Sequence, residues 1–247
     1  MNLVDIICPS SAVFLDFDGT LVDLAPLPEA VAVPPSLVRT LADLGTCLGG
    51  AVALISGRPI VQIDEFLHPL RLPAAGVHGA ERRSFDGSIM LAHTHPLEHV
   101  EAVASKLVAE HPRLRLETKR GSLALHYRQA PELEMLCLQA MQAAVEQSPG
   151  LTLLRGKMVA EAKPGGASKG HAIEAFLHEA PFAGRSPVFI GDDVTDEVGF
   201  ATVQRLGGLG IKVGEGPSVA WHRLASPAEL RDQLQTAVAA KVGKVNA

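Results

Sequence analysis

Two aspartates, Asp16 and Asp18, stand at the end of the apolar run AVFLDF, where a strand would give way to a DG turn. A buried carboxylate is unfavourable unless another group compensates its charge, so this pair either simply begins a turn or is held there for chemistry. One carboxylate can attack phosphorus and form an aspartyl-phosphate. A second carboxylate, two residues further along, can protonate a leaving alkoxide and then deprotonate water. The pair is therefore a candidate for phosphoryl transfer, with a simple turn as the alternative.

Further polar residues follow two other predicted strands, AVALI at 51–55 and PVFI at 187–190. Because ligands bind beyond the carboxyl ends of the strands in an open parallel sheet, we expect these residues to lie near the aspartate pair. They are Ser56 and Arg58 after the first strand, Asp192 and Asp193 after the second, and Lys169 at the start of the intervening helix.

The chemistry of these groups predicts a magnesium-dependent reaction on a phosphate. Several carboxylates that face one another would repel unless a cation intervened, and oxygen ligands without soft donors favour Mg²⁺. Ser56 and Lys169 can stabilise the charge that spreads over the phosphoryl oxygens in the transition state. Lys163 is a rival to Lys169 for this role. Gly19 would let backbone N–H groups approach the phosphate closely.

The order of the predicted elements favours an α/β fold with a Rossmann-like core, in which a parallel sheet is flanked by helices. The alternation of strand and helix is interrupted at 83–163, where helices and hairpins predict an inserted α+β domain, so the core domain is expected over 1–82 and 164–247. Helices are expected at 36–48 (capped by Ser36), 60–67, 96–110, 131–147, 167–180 and 226–242, and hairpins at 82–90, 113–128 and 151–164.

The composition limits what the protein can bind. Charged residues make up 20% of the 247 residues, the formal net charge is −5 and aromatic residues are 4%, which argues against binding of nucleic acid or of an anionic membrane surface. The three cysteines are scattered, which predicts reduced thiols. The N-terminal residues do not resemble a signal peptide, and we expect a cytoplasmic protein that acts on a small molecule.

Four motifs, in this order, resemble those of the haloacid dehalogenase superfamily of phosphotransferases: DFDGTLVD, LISGRP, SKG and GDDVTDE. The resemblance implies that Asp16 is the nucleophile and Asp18 the general acid and base. It also implies that Ser56 binds the phosphoryl group and that Lys169 neutralises the nucleophile and the phosphate. The implied Mg²⁺ site comprises Asp16, the backbone carbonyl of Asp18 and Asp192, with Asp193 and Asp196 as a supporting shell or further ligand.

Three further stretches are similar to signatures of the trehalose-6-phosphate phosphatase family: GVHGAE, LETKRGSLALHYR and AEAKPGGASKG. This resemblance implies that the insert is an α+β cap of the C2 type and that trehalose 6-phosphate is the substrate. Glu117, Lys119 and Glu161 would contact sugar hydroxyls, which acids and an ammonium group can bind through charge-assisted hydrogen bonds. We expect a monomer with a functional link to a trehalose-6-phosphate synthase.

Some assignments have two interpretations at this point. Arg58 either contacts the substrate or buttresses the acidic pair, and His78 either contacts the substrate or packs near Glu81. The segment HTHPLEH at 93–99 has a spacing typical of metal ligands, yet Pro96 favours the start of a helix. Alternative functions are a capped phosphatase for another sugar phosphate, such as mannosyl-3-phosphoglycerate, and a non-catalytic phosphosugar-binding regulatory module. The intact Asp18 and the long insert argue against the regulatory module.

Overall fold

The computed structural model of the protein describes residues 2–25, 27–91, 95–119 and 121–245. The chain forms two compact units, of which the first comprises residues 1–90 and 168–247 and the second residues 91–167. The boundaries between the two units thus lie at 90/91 and 167/168, whereas the sequence predicted them at 82/83 and 163/164. The first division differs because the strands of the hairpin at 82–90 extend the large sheet of the first unit.

The first unit is built on an eight-stranded sheet. Its strands are β1 (Ser11–Leu15), β2 (Val52–Ile55), β3 (Ala74–Gly76), β4 (Glu81–Arg83), β5 (Ile89–Leu91), β10 (Ser186–Gly191), β11 (Leu209–Val213) and β12 (His222–Leu224). They lie in the order β12-β11-β10-β1-β2-β3-β4-β5, and the pairs from β12 to β3 are parallel. The helices of this unit are α1 (Leu3–Ile6), α2 (Pro35–Cys47), α3 (Ile60–Leu67), α6 (Lys169–Leu177), α7 (Glu197–Arg205) and α8 (Pro227–Val245). The predicted α/β class is confirmed.

The central strands are buried along their whole length, as strands with both faces covered require. All five residues of β1 and all four of β2 are buried. The predicted cap of α2 was wrong, because the helix begins one residue earlier, with Pro35, whose fixed φ suits a first helical position. Strand β12 was not predicted, since three residues with two exposed polar side chains give no apolar run.

The described residues of the second unit form a four-stranded antiparallel sheet and two α-helices. Its elements are α4 (Glu98–Glu110), β6 (Arg115–Lys119), β7 (Ser122–His126), α5 (Glu134–Glu146), β8 (Leu151–Gly156) and β9 (Val159–Pro164). The strands lie in the order β6-β7-β9-β8, and the two predicted hairpins of this sheet are confirmed. Alternate residues such as Leu123, Leu125 and Ala162 join residues of both helices in a separate hydrophobic core. Within the described parts of the chain, no helix combines the length and apolar character needed to span a bilayer.

Candidate active site

Strand register brings the ends of three strands to one edge of the large sheet. Leu15 of β1 is level with Ile190 of β10 and with Leu54 of β2. The N–H of Asp16 continues this pairing and donates to the carbonyl of Ile190 at 2.9 Å. Residues that directly follow these strands therefore share the edge at which parallel sheets bind ligands.

A buried lysine joins residues from three distant parts of the chain. Lys169, the first residue of α6, places its Nζ 2.7 Å from Oδ1 of Asp16 and 2.7 Å from Oδ1 of Asp196. Burial raises the pKa of Asp16 well above its usual range, because the opposing charge of Lys169 does not offset burial together with repulsion from neighbouring carboxylates. Burial would lower the pKa of Lys169, but the two carboxylates outweigh it and raise the pKa. The lysine therefore stays protonated.

The rival lysine has a different partner. Lys163 lies on β9 in the second unit, where its Nζ donates to the carbonyl of Ala167. Burial lowers the pKa of Lys163, although the nearby charge of Glu161 opposes this. The structure thus pairs Lys169, and not Lys163, with Asp16.

Carboxylates from two strand ends gather beside Lys169. One oxygen from each of Asp16, Asp192 and Asp196 lies within 4.8 Å of the others. The Oγ1 of Thr20 lies between two of them, 3.1 Å from Oδ2 of Asp16 and 3.3 Å from Oδ1 of Asp192. A set of hard oxygen donors of this kind fits Mg²⁺.

The sequence had named both Asp193 and Asp196 as a supporting shell or further ligand, and of these two the carboxylate cluster contains Asp196. The N–H groups of Asp192 and Asp193 donate to Oδ2 of Asp196 at 3.0 and 2.9 Å. Since Lys169 occupies its other oxygen, Asp196 holds the loop after β10 against the lysine. Among the described residues, the aspartate cluster is the only group of three or more metal-ligating side chains, and His93 of HTHPLEH lies outside the described residues.

Gly19 allows the loop after β1 to approach these carboxylates. Its φ is +79°, a left-handed conformation that favours glycine. A Cβ atom at this position would lie 2.2 Å from Oδ2 of Asp192. Both the backbone conformation and the close approach therefore require glycine here.

Arg58 makes a two-point ion pair with Asp18. Its Nε is 2.6 Å from Oδ2 and its Nη2 is 2.7 Å from Oδ1. The guanidinium lies over the ring of Phe66, 4.8 Å from the centroid, and its Nη1 donates to Gln62 at 3.3 Å. The Oγ of Ser56 is buried and accepts the N–H of Arg58 at 3.1 Å. This arrangement favours Arg58 as a buttress of the acidic pair.

His78 lies beside the loop that follows β2. Its φ is +54°, which is uncommon for a residue other than glycine. Its N–H donates to the carbonyl of Ser56 at 2.9 Å, and its ring lies so close to Gly57 that an added Cβ would approach it within 2.7 Å. Glu81, the other neighbour that the sequence suggested for His78, accepts the N–H of Ile60 at 2.5 Å, at the start of α3. The structure thus places His78 against Ser56 and Gly57, the residues that follow β2.

The predicted sugar-binding residues share one face of the sheet in the second unit. Nζ of Lys119 donates to Oε2 of Glu161 at 3.1 Å, and Oγ of Ser122 donates to Oε1 at 2.7 Å. On the neighbouring part of this face, Nε2 of His126 lies 2.8 Å from Oε2 of Glu117. Burial alone would raise the pKa of Glu117, but the His126 hydrogen bond and the charge of Lys119 hold the pKa below its usual range. Glu117 is therefore ionised, and its hydrogen bond to His126 fixes the orientation of its carboxylate.

Two residues of the site were not singled out from the sequence. Thr20 links Asp16 and Asp192. In the sequence it could have been found as a hydroxyl residue four positions after Asp16. Lys212 places its Nζ 2.5 Å from the backbone carbonyl of Asp192. The sequence feature that could have revealed it is a charged residue inside the apolar run LGIKV. A lysine in such a strand is buried, and a buried lysine requires a partner.

The fold and the site together define the class of this protein, an α/β core with an α+β insert whose carboxylates and buried lysine meet at the ligand-binding edge of a parallel sheet. BT1666 from Bacteroides thetaiotaomicron, a phosphatase of the HAD enzyme superfamily, has the same fold with a TM-score of 0.59 and 16% identity, over 94% of this chain and 95% of that chain. The C-terminal domain of trehalose-6-phosphate phosphatase from C. albicans shares the fold with a TM-score of 0.84 and 19% identity, over 94% of this chain and 93% of that chain.

The chain belongs to the trehalose-phosphatase family. The model of that family matches residues 14–232, a range that includes all four phosphotransferase motifs. Trehalose-6-phosphate phosphatase from Escherichia coli K12 is 46% identical over 214 residues, which cover 86% of this chain and 80% of that protein. The protein is therefore an enzyme that hydrolyses phosphoric monoesters.

Proposed function

We propose that this protein hydrolyses trehalose 6-phosphate to trehalose and inorganic phosphate through an aspartyl-phosphate formed on Asp16. The observation that carries the proposal is the buried pair of Lys169 and Asp16, 2.7 Å apart at the end of β1, with Asp18 two residues away. A parallel sheet binds its ligands at this edge. Membership of the trehalose-phosphatase family supports the choice of substrate.

In the first step, an oxygen of Asp16 attacks phosphorus and the bond between phosphorus and the sugar oxygen breaks. Lys169 orients the carboxylate and keeps a positive charge beside the phosphoryl oxygens, where negative charge is spread in the transition state. In the second step, water attacks phosphorus, phosphate leaves, and Asp16 is regenerated as a carboxylate.

Asp18 moves the protons that these two steps require. It protonates the departing sugar alkoxide and then takes a proton from the attacking water. Because Arg58 contacts both of its oxygens in the resting structure, Asp18 has to release at least one of these contacts when it transfers a proton. Arg58 thus sets the resting orientation of the acid.

Mg²⁺ is the cofactor that suits this site. Asp16, Asp192 and the backbone carbonyl of Asp18 would hold it, and Asp193 and Asp196 would support the shell. We assign Asp196 a supporting role because one of its oxygens accepts from Lys169 and the other accepts two main-chain N–H groups, those of Asp192 and Asp193. When bound, the cation offsets the charge of the phosphate dianion, which would otherwise be repelled by the carboxylates.

The remaining candidates bind the two ends of the substrate. Ser56 and the backbone at Gly19 contact the phosphoryl group. The acids and the ammonium group on the sheet of the second unit accept and donate hydrogen bonds to sugar hydroxyls. The sugar contacts are assigned to Glu117, Lys119 and Glu161, with His78 as a further contact near Ser56.

The expectation for the enzyme in the cell follows from its substrate. A phosphorylated disaccharide must be supplied by a glycosyl transfer to a sugar phosphate, so the enzyme is linked in function to a trehalose-6-phosphate synthase. We further expect it to act as a monomer in the cytoplasm.

The test of this proposal is phosphate release from a panel of substrates, with Mg²⁺ and with EDTA. The panel holds trehalose 6-phosphate, glucose 6-phosphate, sucrose 6-phosphate and mannosyl-3-phosphoglycerate. We expect a preference of about 100-fold or more for trehalose 6-phosphate, since a site that pairs with substrate hydroxyls rejects ligands that leave it unpaired. Comparable rates across the panel would contradict the specificity, and binding without phosphate release would favour a regulatory module.

The covalent step has its own test. Asp16→Asn removes the attacking carboxylate and should abolish turnover, whereas Asp5→Asn changes an exposed carboxylate on α1 and should leave turnover as it is. Normal turnover in Asp16→Asn would contradict the aspartyl-phosphate.

A further inference from the structure

Lys212 is a buried charge in the interior of the large sheet. It lies on β11 between Ile211 and Val213, and only 5% of the residue is exposed. A lysine is rarely buried to this degree unless its ammonium group has partners. Here the partners are two backbone carbonyls, that of Asp192 at 2.5 Å and that of Val213 at 3.5 Å. The lysine therefore reaches from β11 to the residue that follows β10.

The register of these strands explains how the contact arises. Lys212 is level with Gly191, the last residue of β10, so its side chain lies beside the first residue of the acidic loop. The peptide unit that joins Asp192 to Asp193 is held on both sides. Its carbonyl accepts from Lys212, and its N–H donates to Oδ2 of Asp196 at 2.9 Å. The preceding N–H, that of Asp192, donates to the same oxygen at 3.0 Å.

We infer that Lys212 is a positioning residue that fixes the backbone of Asp192 so that its carboxylate is aligned for a divalent cation. The inference rests on the proposed magnesium-dependent function, and it assigns a role to a residue outside the four motifs. Lys212 acts through the Asp192 carbonyl, because the ammonium group donates to the main chain. Partners of this kind, one shell removed from a metal, orient its ligands and typically change metal affinity by 10–100-fold when they are removed.

The test is calorimetric titration of the substrate-free protein with Mg²⁺. Lys212→Met keeps most of the apolar stem and removes the donor, and we expect its Mg²⁺ affinity to fall by about tenfold or more. Lys212→Arg keeps a charged donor and should bind Mg²⁺ with an affinity close to that of the unmodified protein. In steady state, the Met variant should require more Mg²⁺ for half-maximal phosphate release and regain its rate when Mg²⁺ is saturating.

A matched control separates positioning from general stability. Arg83 is another buried cation of the first unit, and it donates to the carbonyl of Leu72 at 2.7 Å and pairs with Asp64. Arg83→Met should lower the thermal midpoint in EDTA without changing the affinity for Mg²⁺. If Lys212→Met behaves in this way, the lysine is merely structural and the inference is overturned.

Two other outcomes also overturn the inference. Tighter Mg²⁺ binding in Lys212→Met would mean that the lysine acts by charge repulsion and not by position. Failure of both Lys212→Met and Lys212→Gln to fold would assign the residue to fold stability. A lack of Mg²⁺ binding by the unmodified protein would instead refute the proposed metal dependence itself, so the two failures are distinguishable.

Discussion

Replacing Gly19 by alanine is expected to separate backbone strain from damage to the catalytic cluster. Gly19 has φ +79°, and a Cβ atom there would lie 2.2 Å from Oδ2 of Asp192. The new methyl group therefore does two things at once. It places an L-residue in the left-handed region, and it pushes on a carboxylate that we propose to hold Mg²⁺.

The two effects have different magnitudes and different readouts. An L-residue in the left-handed conformation costs about 1 kcal/mol, and a loss of that size lowers the thermal midpoint by about 2–4 °C in a protein of 150–250 residues. The carboxylate of Asp192 would have to retreat by about 0.8 Å before the contact lengthened to 3.0 Å. A displacement of about 1 Å at a catalytic site can reduce the rate about 100-fold. We therefore expect Gly19→Ala to be folded, slightly less stable and nearly inactive.

The assay compares three proteins by circular-dichroism melting and by phosphate release from trehalose 6-phosphate. The matched control is Gly184→Ala, because Gly184 has a similar φ of +76° and, among the described residues, an added Cβ would meet no atom within 4 Å. Both alanine variants should lose a similar amount of stability, and only Gly19→Ala should lose activity. Equal activity in the two variants would refute the steric argument. A large loss of stability in Gly19→Ala alone would refute the claim that the clash is confined to a side chain.

Three further predictions concern other parts of the molecule. Lys169→Met leaves two buried carboxylates without their cation, and we expect about 3 kcal/mol less unfolding free energy in urea titrations. Asp18→Asn should slow hydrolysis of trehalose 6-phosphate by about 100-fold or more. The first-turnover release of 4-nitrophenol from 4-nitrophenyl phosphate should change much less, because nitrophenolate leaves without a proton. The lowered pKa of Glu117 adds stability above its usual value near 4.5 that is lost as the pH falls through the folded-state pKa. Acidification from pH 6 to pH 3.5 should therefore cost the unmodified protein more unfolding free energy than Glu117→Gln.

Each of these predictions has an outcome that contradicts it. For the lysine, the reference is Lys106→Met, an exposed position on α4, and equal stability of the two variants would show that the buried charges are not coupled. For the general acid, an equal effect on both phosphate esters would exclude proton transfer to the leaving group. For Glu117, equal acid sensitivity of the two proteins would mean that its hydrogen bond to His126 contributes nothing to folding.

Much of the fold was predictable because its signals are local. The runs AVFLDF, AVALI and PVFI are continuous apolar segments, which is what buried parallel strands require, and polar residues follow each of them directly. Strong alternation in RLRLETKRGSLALHYR likewise predicted two antiparallel strands. The hairpin at 82–90 was assigned to the insert because the local pattern of a hairpin does not state which sheet it extends.

The sequence by itself determined the motifs, their order and the edge of the sheet to which they belong. Strand ends carry Asp16, Ser56 and Asp192, and parallel pairing brings such ends together. The sequence could not choose partners among side chains, because partners depend on register and on side-chain direction across the sheet. Tertiary structure alone decided that Arg58 holds Asp18 and that Lys212 holds the main chain of Asp192. Those contacts join residues 40 and 20 positions apart, beyond the reach of any local periodicity.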